Sequence, residues 1–122
     1  MSVNKVILLG NVGGDPEIRY PAPDNPVAFF SLATNETRGN IKVTEWHNIV
    51  MTGRSAAYAE KFIRKGTKLY LEGSLRTREY TDRLHITRKR TEVFASTFEI
   101  LGRSQDTGAA QNNNTSTSQQ PT

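Results

Sequence analysis

Residues 42–76 read KVTEWHNIVMTGRSAAYAEKFIRKGTKLYLEGSLR, and their periodicity changes twice. Lys42 to Thr52 alternates with the period of two that marks a strand. His47, Ile49 and Met51 form one row, which reads as core or subunit interface; Trp46, Asn48, Val50 and Thr52 form the other, mixed polar and aromatic, as in a surface that meets a ligand. Gly53 ends the strand, and Ser55 is placed to N-cap a helix from Ala56 to Lys65 that Gly66 stops. Tyr58 and Phe62, with Ala59 and Ile63, make its apolar side, while Lys61, Arg64 and Lys65 suit solvent and the negative end of the helix. Lys68 to Arg78 returns to a strand, with Leu69 and Leu71 inward and Gly73 permitting a bend.

Upstream, Val3 to Val12 forms a strand closed by Gly13–Gly14 and Asp15–Pro16. A short segment, Glu17 to Tyr20, precedes a loop containing Pro21, Pro23 and Pro26. Val27 to Thr34 is then a long strand with Ala28, Phe30 and Leu32 on one face. Phe29 falls on the other face, beside Val27 and Ser31, where a ring either stacks on a base or packs against another subunit or its local neighbours; packing is the expectation. Downstream, His85 to Leu101 makes the last strand, with a bulge or break expected near Glu92. The order is therefore three strands, one helix, two strands. One short helix cannot cover five strands, so the sheet is expected to close on itself and bury its apolar rows. The expected fold is all-β: a five-stranded oligonucleotide-binding (OB) barrel with one helix between the third and fourth strands. Composition by itself leaves this as one plan among several.

The folded domain is expected over residues 1–102. From Ser104 the chain reads SQDTGAAQNNNTSTSQQPT, with no aliphatic residue larger than alanine, no methionine and no aromatic, so residues 103–122 are expected to form a disordered polar tail. The formal net charge is +4, and since Arg103 and Asp106 cancel, the excess belongs to the domain and favours a polyanionic partner. The absence of cysteine excludes disulfides, thiolate metal sites and thiol nucleophiles. The apolar run Val6 to Leu9 is too short for a signal-peptide core or a membrane span, which makes the cytoplasm the expected location. There is no GxxxxGK[ST], GxGxxG or HExxH, and the glycines of GNVGG (residues 10–14) have the wrong spacing for a phosphate loop. No catalytic residue, metal or cofactor is expected.

Five segments resemble the bacterial and mitochondrial single-stranded DNA-binding proteins: VNKVILLGNVGGDPEIRY (3–20), FSLATNE (30–36), TEWHNIVMTGR (44–54), RKGTKLYLEGSLRTREYTD (64–82) and TEVFA (91–95). The resemblance implies an OB barrel that assembles as a homotetramer and wraps single-stranded DNA, without base-specific readout, in replication, recombination and repair. It implies a nucleoid-associated location, with an organellar version also compatible. Trp46 falls on the tryptophan of the family's EWH motif, a base-stacking position. Tyr80 falls where many members carry a second tryptophan. His47 falls on the EWH histidine, which faces the subunit interface, and Arg76 and Arg78 lie in an LRTR stretch on the phosphate path. Two stacking positions depart from the pattern: the nearest equivalent of a further tryptophan is Arg38, and Thr52 stands where an aromatic is often found. Members typically end in an acidic tip with a terminal proline and phenylalanine that recruits partners. This chain ends TSTSQQPT, so recruitment by that route is not expected.

A flexible single strand offers a charge at each phosphate and a flat face at each base, so cations interleaved with aromatics bind it without reading sequence. Trp46 and Tyr80 are the stacking candidates. Arg38, Arg54, Lys68, Arg76, Arg78, Arg88, Lys89 and Arg90 are the candidate phosphate contacts. Strand alternation puts Arg88 and Arg90 on one face and Lys89 on the other, in what is either a gripping arm or a solvated hairpin. Tyr20, Tyr58 and Tyr70 are expected to pack, not to stack on bases. A second reading keeps the barrel as a protein-interaction module that has lost tight DNA binding.

Overall fold

The computed structural model describes residues 1–103; Arg103, expected to begin the tail, instead ends the last strand, and the rest of the expected tail lies outside the described residues. The elements are β1 (Val6–Val12), β2 (Glu17–Ala22), β3 (Asn25–Arg38), β4 (Ile41–Thr52), α1 (Arg54–Phe62), β5 (Thr67–Thr81) and β6 (Thr87–Arg103). The sheet runs β1-β5-β6-β4-β3-β2, and β1 also pairs with β3 through Asn11↔Ala33 and Val12↔Leu32, which closes the barrel. The helix stands where it was expected, between the strand ending at Thr52 and the next long strand. The segment after Asp15–Pro16 is a sixth strand, β2, paired with β3 through Glu17↔Phe29 and Ile18↔Ala28. Its six residues turn only Ile18 partly inward, too little for a readable period, and Pro21 is tolerated because an edge strand does not need every amide.

The inward rows are those the alternation indicates. Ala28, Phe30 and Leu32 of β3, Ile49 and Met51 of β4, Leu69 and Leu71 of β5, and Val93 of β6 are buried together with Val12. Burying each large aliphatic side chain contributes roughly 1.5–3 kcal/mol.

Three local expectations are corrected. Gly53, at φ 61°, occupies the N-cap of α1 without a side-chain cap, and Ser55 lies inside the first turn. Of the expected apolar side of α1, Ala59 and Ile63 do face the barrel, with Ala56 beside them, all fully buried. Small residues let the helix approach the barrel end closely. Tyr58 and Phe62 stay half exposed and pack on each other at 4.5 Å between ring centroids, with Tyr58 reaching Phe98 at 5.4 Å. The irregularity expected near Glu92 falls farther along β6, where Ser96 is skipped in the register because Glu72↔Thr97 is followed by Gly73↔Ala95. Gly73 is the bend: a Cβ there would sit 2.1 Å from the Phe94 carbonyl oxygen.

β6 starts at Thr87, and His85 lies in the preceding turn at φ 62°. The turn is tied by Asp82, whose Oδ1 accepts from the amides of Leu84 and Ile86 while Oδ2 accepts from Arg88 Nε. The Arg88 guanidinium first, then the Ile86 and Leu84 amides, hold the Asp82 carboxyl below its ordinary value of 3.8. A carboxyl whose folded pKa is depressed stabilises the fold fully above its unfolded pKa and loses that contribution as pH falls through the folded value. In an NMR titration, the Leu84 and Ile86 amides are expected to hold their shifts until pH drops below 3.8 and then move together with the Asp82 carboxyl. Movement near neutral pH would contradict this account.

Candidate nucleic-acid interface

Residues directly opposite each other on paired strands project to the same side of a sheet. Trp46 pairs with Ala33, Ala33 with Asn11, and Asn11 with Lys68, giving one outward row around the barrel. β4 meets β6 in parallel through Ile49↔Val93 and Val50↔Phe94. Asn48 therefore shares the outer face with Glu92 and Arg90, and Arg90 Nη2 donates to Asn48 Oδ1 at 3.2 Å. Across β6 and β5 the pairs are Glu92↔Arg76, Arg90↔Arg78 and Arg88↔Tyr80. Trp46, Arg76, Arg78, Tyr80, Arg88 and Arg90 thus lie on one continuous face. Lys89 pairs with Glu79 on its reverse.

Both stacking candidates are open to solvent, Trp46 at 58% and Tyr80 at 40% exposure. Gly13 leaves room for the indole: a Cβ there would come within 2.5 Å of Trp46 Cζ3. The ring borders an open groove of about 530 Å³ that Asn11, Ala33 and Lys65 also line. Asn11 Oδ1 is buried with no hydrogen-bond partner among the described residues. Asn11 is not singled out by the sequence, and Lys65 is read there only as a helix-end cation. Only the outward parity of Asn11 in a strand of aliphatic residues hinted at it, and Lys65 comes to the groove through the fold alone.

The face is less positive than its arginine count suggests. Glu92, 2% exposed, lies between two guanidiniums: Arg78 Nε reaches Oε1 at 3.0 Å and Nη2 reaches Oε2 at 3.3 Å, while Arg90 Nε reaches Oε2 at 3.2 Å. The Glu92 carboxylate pushes the Arg78 pKa further up. Arg88 is paired with Asp82. Arg76 has no acidic partner among the described residues; its guanidinium lies 4.4 Å over the Phe94 ring. Removing both cations (Arg78→Ala with Arg90→Ala) strands a buried carboxylate. Urea unfolding is expected to show a loss on the order of 2 kcal/mol, below the 3–5 kcal/mol of a fully buried pair because both guanidiniums face water.

Of the remaining candidates, only Lys68 shares the outward row of Trp46. Arg38 ends β3 opposite Ile41 at a hairpin tip, and alternation directs it away from the Trp46 side. Arg54 is exposed in the first turn of α1. Lys68 sits on the outward row beyond Asn11. His47 is half-buried in the row of Leu32, with Nε2 2.9 Å from Thr34 Oγ1. No group of three or more His, Cys, Asp or Glu side chains among the described residues is arranged to hold a metal.

A closed barrel, antiparallel except where β4 meets β6, with one helix at its end and rings among arginines on its outer face, is an OB domain built for nucleic acid. The profile described as "Single-strand binding protein family" matches residues 3–101. A Bacteroides thetaiotaomicron protein named "Single-stranded DNA-binding protein" is 45% identical over 117 residues, covering 89% of this chain and 73% of that protein. The solved structure titled "Plasmodium falciparum SSB complex with ssDNA" aligns with a TM-score of 0.77 at 34% identity, covering 83% of this chain and 96% of the other. The chain belongs to the single-strand binding protein family.

Proposed function

We propose that this protein binds and protects single-stranded DNA without sequence preference during replication, recombination and repair, and catalyses no reaction. The observation that carries the reading is the single outer face on which Trp46 and Tyr80 stand exposed among Arg76, Arg78, Arg88 and Arg90. A ring accepts any base because every base has a π-face, and guanidiniums hold the phosphates between stacked bases whatever the sequence. Residues 1–102 serve as both the binding and the oligomerisation unit. Exposed Ile7 and Leu9 on β1 and the half-buried His47 supply surfaces for a homotetramer, which lengthens the path available to one strand. The place of action is the cytoplasm, at the nucleoid; among the described residues, no helix is long and apolar enough to cross a membrane.

Titration with oligothymidine tests the binding. Quenching of Trp46 fluorescence is expected, with affinity falling steeply as salt rises, at a slope near −0.7 for each phosphate neutralised. Absence of both quenching and salt dependence would sink the proposal. Ile7→Asp with Leu9→Asp is expected to lower the mass in solution below that of a tetramer; an unchanged mass would place the interface elsewhere.

A further inference from the structure

Two rings on the outer face are not accounted for by Trp46 and Tyr80. Phe29 of β3 and Phe94 of β6 are the direct neighbours of Val50 on either side, through Phe29↔Val50 and Val50↔Phe94. The three form an apolar row across adjacent strands, on the same side as Asn48 and Trp46 and about 13 Å along β4 from the indole. Val50 is 3% exposed although it points away from the barrel interior, whereas both flanking rings are only half-buried. Each ring carries a guanidinium: Arg19 Cζ lies 5.2 Å from the Phe29 centroid and Arg76 Cζ 4.4 Å from that of Phe94. Arg19 comes from β2, the strand added to the edge of the sheet, and is itself held by Glu17.

A guanidinium lying on a ring is a planar cation backed on one side and open on the other. Nucleobases stack on such a plane, or displace it and stack on the ring beneath, with the cation left beside the phosphate. Thr52, diagonal to Phe29 on the same face, offers no flat surface of its own, so the rings of this row belong to the neighbouring strands. We propose that Phe29, Val50 and Phe94, flanked by Arg19 and Arg76, form a second stacking subsite for unpaired bases of a strand already engaged at Trp46. The subsite rests on the DNA-binding reading and extends it to residues outside the Trp46–Tyr80 set. Its occupant follows from continuity with that face and from the two cations, which suit a polyanion carrying flat apolar groups.

The test uses the full chain. Phe29→Leu with Phe94→Leu keeps an apolar side chain at each position and removes the planes. Binding of a long oligothymidine is expected to weaken roughly fivefold to tenfold, with the saturating Trp46 quench and the salt slope unchanged. Arg19→Lys with Arg76→Lys keeps both charges and removes the guanidinium planes, and is expected to weaken binding severalfold at the same slope. Native affinity in both variants overturns the subsite, and so does a loss of slope, which would assign these residues to phosphates alone. In the unmutated protein, photocrosslinking with 5-iodouracil-substituted oligothymidine is expected to label Phe29 or Phe94; adducts confined to Trp46 and Tyr80 overturn the inference. If native Trp46 is not quenched at all, the failure lies in the DNA-binding reading itself.

Discussion

Trp46→Ala is expected to weaken the binding of labelled oligonucleotides by about 5- to 150-fold, the equivalent of roughly 1–3 kcal/mol for one lost base stack. The loss should be similar for thymine, cytosine and adenine homopolymers, since an indole face does not read base edges. Fluorescence anisotropy of the oligonucleotide is the appropriate measurement, because the variant removes the sole tryptophan. Stability should change by less than about 0.5 kcal/mol, as expected for a surface side chain, because the ring is 58% exposed and absent from the buried core. Trp46→Phe should recover part of the affinity. A defect restricted to one base composition would mean that the residue reads sequence, contrary to the proposed function.

Gly10→Ala is expected to cost about 3 kcal/mol of stability for a single added methyl group, at the upper end of the usual cost of overpacking. A Cβ at Gly10 would lie 2.1 Å from the Ala33 carbonyl oxygen and 3.0 Å from its carbon. Both are backbone atoms, so no rotamer change relieves the contact; β1 must move away from β3. That is the seam that closes the barrel, through Asn11↔Ala33 and Val12↔Leu32. Urea unfolding should show a lower midpoint, and hydrogen exchange should show loss of protection at Gly13, whose amide donates to the Ser31 carbonyl across the same seam at 2.9 Å. Gly14→Ala is the control, because nothing lies within 4 Å of a Cβ there and the change should be close to neutral. Equal effects at the two glycines would refute the packing explanation.

Ala33 also stands between Asn11 and Trp46 in the outward row, so separating the seam is expected to disturb the DNA face as well. Barrel closure and the stacking platform are one structure at this point. The Gly10 variant should therefore lose affinity along with stability, whereas Trp46→Ala loses affinity alone.

Much of this was legible along the chain because in–out alternation is a local property. Ala28, Phe30 and Leu32, and Ile49 and Met51, announce their inward direction through spacing, and Trp46 stands out in the opposite row. Val50 shows the limit: it belongs to that outward row, yet the rings of Phe29 and Phe94 on neighbouring strands bury it. The helix misled for a related reason. Tyr58 and Phe62 look like its natural apolar side, but the barrel end admits only close contact, which alanine allows and a ring does not.

Periodicity and the family resemblance sufficed for the barrel, the place of the helix, the two exposed rings and the basic character of the surface around them. They left open which outward residues share a side, because that depends on register and strand order among segments distant in sequence. Arg78, Arg90 and Glu92 read as two phosphate ligands and an unremarkable acid until the β5–β6 pairing turns them into one buried carboxylate under two guanidiniums. Arg19 and Phe29 in the same way become partners only once β2 is laid against β3. A charge or a ring acts through what lies within a few ångströms of it, and in a closed sheet most of those neighbours come from other strands.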